Sequence, residues 1–440
     1  MIVRELIARK RDGGELTAQE IREVVAGYMR AAISDAEMAA LLRAVVLRGM
    51  TSRETADLTL AMVESGERLD LSRIPGSTVD KHSTGGVGDK TTLVVAPLVA
   101  SLGVPVPKMS GRALGHTGGT IDKLECIPGL TTDLSPERFC DQVAEIGVAI
   151  AAQTAEMVPA DRKIYALRDA TGTVESIPLI ASSVMSKKLA VGADGIVLDV
   201  KAGTGAFMSD VTAATRLAEA MVEIGSRAGK RVVALVTRME EPLGRAVGDA
   251  VELAEAMDTL RGEGPPDFVQ LCEIVAGHML ALGGAAREAE EGKALARRGL
   301  LNGSGLAKLR AMIERQGGAA GVVDDPGSLT ASARRTPVML TANDTVAAID
   351  ARRIGLAIRE LKAAAGEQKA LCGLVLHKKT GDRVSPGQPV ATVLSPPEAR
   401  GSAEEAAREV AEAFQMGGSG ATVPGLVAAV VEAWPENARP

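Results

Sequence analysis

The sequence predicts an α/β protein with a separate all-α domain ahead of it and a hairpin-rich α+β unit behind it. Three observations carry this. Three helix-start signatures recur at regular spacing within the first 66 residues, each ahead of an apolar-periodic run. From Thr78 onward, short apolar runs alternate with glycine-rich turns and helical segments, the pattern of a largely parallel sheet. Toward the C-terminus, short strands are joined by Gly/Pro turns.

The helix starts are Thr17-Ala-Gln-Glu20, Ser34-Asp-Ala-Glu37 and Thr51-Ser-Arg-Glu54. In each, hydroxyl and later carboxylate can satisfy the orphan amides of a first turn. Residues 1–66 therefore read as a small helical domain. Gly66–Ser77 reads as a linker, and an α/β domain follows over 74–159 and 194–330, with Ile196–Val200 and Val232–Thr237 as clear apolar strands. Between its two parts, 160–193 supplies two further helices that complete the helical domain. The second of these has Ser176 as N-cap, Pro178 in its first turn and Gly192 at its end. A Gly/Ser/Asp-rich connector, Gln316–Arg335, leads to a third unit over 336–440. Its segment Leu376–Val393 is similar to the hairpins of biotinyl and lipoyl carrier domains. It lacks a Met-Lys-Met attachment turn, so it reads as a structural appendage and not as a swinging arm.

Composition excludes several functions. The 440 residues carry a net charge of −6, so no basic excess points to nucleic acid or an anionic membrane. With Trp 1, Tyr 2 and Phe 4, stacking platforms for a nucleic-acid strand are scarce. A nucleobase would be held by hydrogen bonds and aliphatic walls. Cys126, Cys140, Cys272 and Cys372 are far apart without CxxC spacing, which signals neither zinc nor a disulfide framework. The charged start lacks a signal-peptide core. The apolar, uncharged stretch Thr91–Pro107 is broken by Pro97 and Gly103 and is too short to span a bilayer. The expectation is a cytoplasmic protein.

Three segments could carry chemistry. In Val79–Thr92 a strand, a glycine-rich loop and a helix start form an anion cradle, to which Lys81, Ser83 and Thr92 can add bonds. The spacing is not that of a Walker loop. A plain tight turn explains the glycines equally well, but the Lys-His-Ser run just ahead favours phosphate. Lys108–Glu125 packs glycine pairs, hydroxyls, lysines, an arginine and a histidine into a short span. The alternative there is a mobile solvated loop, with Asp122 and Glu125 as ordinary helix-start charges. Last, Ser183 and Lys187 share a helix face, with Arg168 on the preceding helix. Alone, that pattern reads as a solvated stripe. His116, His278 and His377 stand apart from one another and default to structural roles.

Lys81–Thr92 (KHSTGGVGDKTT) and Ser110–Glu125 (SGRALGHTGGTIDKLE) resemble the two hallmark segments of the thymidine and pyrimidine-nucleoside phosphorylases. The resemblance runs over essentially the whole chain. Lys108-Met109-Ser110 and Lys81–Ser83 resemble the pyrimidine-nucleoside branch, since dedicated thymidine phosphorylases lack a lysine at the position of Lys108. The resemblance implies a mixed sheet of the nucleoside phosphorylase and phosphoribosyltransferase kind, a site in the cleft between the helical and α/β domains, and a homodimer joined through the helical domains. It implies phosphate as co-substrate and no organic cofactor. It assigns Lys81, Ser83, Thr92, Ser110 and Thr120 to phosphate, with Lys108 in the same loop, and His82, Arg168, Ser183 and Lys187 to the base. It further implies a monovalent cation, potassium, held by Gly88, Lys90, Leu243, Ala246 and Glu255. Lys90 stands where a threonine is expected, and its ammonium would compete with the ion. The rival readings are a dedicated thymidine phosphorylase and an anthranilate-type phosphoribosyltransferase. The latter needs an acidic pair for magnesium–pyrophosphate that the loops do not offer.

Overall fold

A computed structural model describes residues 3–154, 156–417 and 425–434. The chain opens with four helices: α1 (Val3–Arg11), α2 (Ala18–Met29), α3 (Asp35–Arg48) and α4 (Ser52–Val63). The last three begin at the three capping boxes. The hydroxyls of Thr17, Ser34 and Thr51 accept from the backbone N–H of Glu20, Glu37 and Glu54, whose carboxylates accept from the cap N–H in return. Their inner faces bury Ile21, Val24, Met38, Leu41, Val45 and Met62 in one core.

Glu54 does more than cap. Its carboxylate, fully buried, accepts from Lys10 Nζ at 2.9 and 2.8 Å and from the Leu16 N–H at 2.9 Å. Lys10 is itself only 4% exposed. Removing one partner of a buried pair strands the other, so Glu54→Ala is expected to destabilise by about 3–5 kcal/mol. Thr51→Ala, which removes only a cap hydroxyl, is expected to cost about 1 kcal/mol. Urea unfolding midpoints compare the two; equal shifts would mean that the Lys10–Glu54 pair anchors nothing.

The α/β domain runs β1 (Val79–Ser83), α5 (Thr91–Ser101), β2 (Val106–Ser110), α6 (Thr120–Leu124), α7 (Pro136–Ile146) and β3 (Val148–Ala152). Next come α8 (Pro159–Ala170) and α9 (Ile177–Val191), then β4 (Gly195–Ala202), α10 (Val211–Arg227), β5 (Arg231–Arg238), β6 (Ala246–Val247), α11 (Asp249–Leu260), α12 (Pro266–Leu282), α13 (Ala289–Leu301) and α14 (Ser304–Arg315). Strands β1, β4 and β5 pair in parallel, with Lys81 opposite Val197 and Ser83 opposite Asp199. β2 and β3 form a second parallel pair, joined to β1 where the Val79 N–H donates to the Pro105 carbonyl at 3.0 Å. All eight residues of β4 are buried, as a parallel strand covered by helices on both faces requires.

α8 and α9 leave this domain and pack on the N-terminal helices. Lys163 Nζ lies 3.9 Å above the Tyr28 ring and donates to the Tyr28 carbonyl at 2.7 Å. Arg43 donates to the Thr171 carbonyl, and Ser182 to that of Thr55. Ser176 takes the N-cap position of α9 without a side-chain bond, and Gly192 ends the helix in the left-handed conformation.

The third unit contains β7 (Arg334–Met339), β8 (Val346–Ile349), α15 (Ala351–Ala365), β9 (Gly373–Leu376), β10 (Pro389–Ser395), α16 (Arg400–Glu412) and β11 (Phe414–Met416). β6 of the α/β domain joins its sheet in the order β6-β9-β10-β7, which stitches the two units together.

Two expectations need correcting. Pro97 does not break the uncharged stretch, because α5 runs through it to Ser101. A helix buried along nearly its whole length, between α12 and α14, is held by packing at a cost that one missing amide bond does not exceed. Grouped by sequence with the third unit, Val427–Ala433 instead forms β12 and pairs antiparallel with the outer edge of β5. The strand satisfies backbone groups that an open edge would leave unpaired. All four cysteines are free. Among the described residues no helix is long and apolar enough to cross a membrane.

Candidate active site

The site forms at the carboxyl end of β1, where the two hallmark loops meet α8 and α9. Side chains alternate along a strand, so Asp80 and His82 face one way while Lys81 and Ser83 face the other. Beyond Ser83 the chain folds back on itself. The Gly85 N–H donates to Ser83 Oγ at 3.2 Å, and that hydroxyl donates to the Asp89 carboxylate. Gly88, at φ 75°, lies against the carbonyl of Leu243, where a Cβ would come within 2.7 Å. Only glycine fits there. α5 then starts at Thr91, with Thr92 buried in its first turn.

On the Lys81 face, charges crowd together out of water. Lys81 is 1% exposed. Its Nζ lies 3.5 Å from the Asp199 carboxylate and has no hydrogen-bond partner. Asp199 is already engaged by Lys201 Nζ at 2.8 Å and by the Thr237 hydroxyl at 2.6 Å. Burial opposes ionisation of Asp89, but Lys81, Lys201 and the Ser83 hydroxyl outweigh it and hold its carboxyl well below the usual range. The Thr91 hydroxyl is likewise buried without a partner. A buried ammonium with unused donors is costly, and an anion at that point removes the cost.

On the opposite face, Asp80 accepts from Lys188 at 2.8 Å, and Lys188 also donates to the Met109 carbonyl at 3.2 Å. Lys108 donates to the same carbonyl at 2.7 Å. Burial, then the charges of Lys188 and Lys81, push the Lys108 ammonium well below its ordinary range. His82, half-buried, is held well below 6.5 by desolvation and by Lys188, Lys108, Lys81 and Lys187, so its imidazole is neutral.

The second loop leaves β2 at Ser110 and returns to Thr120 at the start of α6. It is folded so tightly that a Cβ on Gly119 would come within 2.3 Å of the Arg112 and Ala113 backbone. Asp122 and Glu125 are not idle helix-start charges. Asp122 accepts from the Ala113 N–H at 2.6 Å, and Glu125 clamps Arg112 at 2.6 and 2.7 Å. Lys123 ties the two loops together by donating to the Asp89 carbonyl at 2.8 Å while pairing with Glu252 at 2.9 Å. The His116 ring packs 5.5 Å from that of Phe207, a structural use.

On α8 and α9, Lys187 donates to the Ser183 carbonyl at 2.9 Å, to the Ser183 hydroxyl at 3.0 Å and to the Asp161 carboxylate. The shared helix face is thus a bonded pair. Arg168 is engaged with the backbone at the end of α8. It is 1% exposed and donates to the carbonyls of Thr173, Val174 and Leu179, pinning the turn between α8 and α9. Three of the five guanidinium N–H groups are used in this way. Gly88, Leu243, Ala246 and Glu255 also converge, with Lys90 Nζ among them.

Sequence reasoning passed over Asp80, Asp89, Asp161, Lys188, Asp199 and Lys201. A signal existed for two of them. Asp199 and Lys201 interrupt the otherwise apolar run from Ile196 to Ala202, where an unexplained charge marks a paired or functional group.

Comparisons with known proteins agree with this layout. Residues 4–66 match the glycosyl transferase family helical bundle domain, and 75–306 match the glycosyl transferase family a/b domain. Residues 345–416 match the pyrimidine nucleoside phosphorylase C-terminal domain. A pyrimidine-nucleoside phosphorylase from Geobacillus stearothermophilus is 49% identical over 395 residues, covering 89% of this chain and 91% of its own. One from Staphylococcus haemolyticus is 45% identical over 431 residues, covering 97% and 99%. An anthranilate phosphoribosyltransferase from Thermus thermophilus superposes with a TM-score of 0.58 at 24% identity, over 70% of this chain and 98% of its own, and shares the fold.

Proposed function

The chain belongs to the pyrimidine-nucleoside phosphorylase family, and on that premise we propose that it splits pyrimidine nucleosides reversibly with inorganic phosphate, giving free base and pentose 1-phosphate. The observation that carries this reading is the Lys81 ammonium, buried without a hydrogen-bond partner beside the glycine-rich loop.

A phosphate oxygen bonds to the anomeric carbon as the bond to the base nitrogen breaks, and that bond's electron pair leaves with the base. The transition state resembles an oxocarbenium ion, as in other glycosyl transfers. The anion must be held against the cationic sugar, and Lys81, Ser83, Thr92, Lys108, Ser110 and Thr120 serve that end. An arriving anion also favours the charged form of Lys108, whose ammonium its cationic neighbours disfavour. Charge growing on the base needs donors, and the neutral His82 ring supplies an N–H. Ser183 Oγ, which accepts from Lys187, keeps a lone pair for the ring N–H of the base. Lys187 reaches a base carbonyl by exchanging one of its present partners, and Arg168 has two N–H groups left for the other carbonyl. Closure of the cleft excludes water, so phosphate and not hydroxide is the acceptor. No covalent intermediate is needed. The working form is a cytoplasmic homodimer joined through the helical domains, which sedimentation would register as twice the chain mass.

Substrate range tests this reading. Ser183, Lys187 and Arg168 address groups common to uracil and thymine, and none reads the 5-methyl group. Uridine, deoxyuridine and thymidine are therefore all expected to turn over at saturating phosphate, because an apolar wall rejects an added hydroxyl only about 10²-fold. A uridine kcat/KM more than about 10³-fold below that of deoxyuridine would exceed such a sieve and make the enzyme a dedicated thymidine phosphorylase.

A further inference from the structure

We propose that the Lys90 ammonium is a tethered counter-ion that takes the place of a bound potassium ion, so that this chain holds its phosphate loop in shape without a monovalent cation. The carbonyl oxygens of Leu243 and Ala246 and the carboxylate of Glu255 converge beside Gly88. Two carbonyls and a carboxylate are donors suited to a hard, oxygen-seeking cation. Lys90 Nζ already lies among them. It donates to Leu243 at 3.0 Å and to Ala246 at 2.9 Å, and it forms an ion pair with Glu255.

An ammonium has three N–H donors, and all of them have acceptors here. The side chain is fully out of water, with Nζ 5.2 Å from the centre of the Phe268 ring. The backbone closes over the site: a Cβ on Gly244 would stand 2.3 Å from the Glu255 carboxylate and 3.2 Å from Lys90 Nζ. Glu255 is further committed to the N–H groups of Arg245 and Ala246, at 3.0 to 3.1 Å. A potassium ion sharing these oxygens would sit in contact with a like charge. The residues present therefore do not fit the ion together with Lys90.

The tether has a structural consequence. Lys90 directly precedes α5, so its stem links the glycine loop to the 243–246 turn. That turn continues into β6, which pairs with β9 of the third unit. A dissociable ion leaves such a junction on dilution, whereas a side chain does not.

The test compares the wild-type protein in tetramethylammonium chloride and in potassium chloride at the same ionic strength, reading both melting temperature and phosphorolysis rate. The melting arm is independent of the proposed activity, so it stands even if the substrate assignment fails. Both quantities are expected to change by less than about twofold in rate and about 1 °C in melting, since nothing binds the folded state selectively. A saturable rise of either with potassium overturns the proposal. Lys90→Thr, which removes the ammonium and leaves a hydroxyl, is expected to melt lower in tetramethylammonium and to recover in potassium. A Lys90→Thr protein as stable as wild type and indifferent to potassium also overturns it.

Discussion

Lys81→Ala is expected to lower kcat/KM for phosphate by about 10²–10³-fold, the typical loss when a preorganised charge-stabilising donor is removed. The reason lies in what surrounds Lys81 rather than in its charge alone. Its Nζ is buried and has no hydrogen-bond partner, so all its donors are available to an incoming anion. Water cannot screen the attraction at that depth, and the bonds formed would be charge-assisted. The fold should survive the change, because Asp199 keeps Lys201 at 2.8 Å and the Thr237 hydroxyl at 2.6 Å. A melting temperature near wild type, measured alongside the kinetics, separates lost binding from lost structure. A kcat/KM for phosphate within about tenfold of wild type would remove Lys81 from the anion site.

His82→Ala and Lys187→Ala are expected to lower kcat by about 10²-fold each, with smaller changes in KM for the nucleoside. Both side chains act where charge appears on the departing base, so their bonds strengthen on the way to the transition state. The two differ in what they leave behind. His82 is neutral, held so by burial and four neighbouring lysines, and its removal strands no counter-charge. Lys187 pairs with Asp161, which is 3% exposed, and its loss leaves that carboxylate buried alone. Lys187→Ala should therefore also lower the melting temperature, while His82→Ala should not. An unchanged kcat in either variant would exclude that residue from the chemistry.

Much of this architecture is legible in the sequence because it is local. A capping box needs only residues three apart, and all three form as read. The glycine-rich loop after β1 and the second loop after β2 are likewise written in contiguous residues. What the sequence leaves unread is non-local. Lys188 and Asp80 are bonded across 108 positions, and Lys81 approaches Asp199 only because β4 lies beside β1. No spacing rule announces such partners. Arg168 shows the same limit from the other side. That its guanidinium also pins a turn is invisible until the carbonyls of Thr173, Val174 and Leu179 are placed around it. β12 escapes notice because its pairing partner, β5, lies almost two hundred residues upstream, with β12's Val427 opposite Thr237. Pro97 escapes because local propensity predicts a break that burial of the whole helix overrides.

The central claim is that the anion held at Lys81 is the acceptor of the pentosyl group. Its most direct test is release of uracil from uridine, followed by ultraviolet absorbance in phosphate buffer and in phosphate-free buffer of equal ionic strength, with the product identified by phosphorus NMR. The expected result is base release only when phosphate is present, with pentose 1-phosphate formed in equal amount. Equal release of base without phosphate would make water the acceptor and the protein a hydrolase, and would contradict the account.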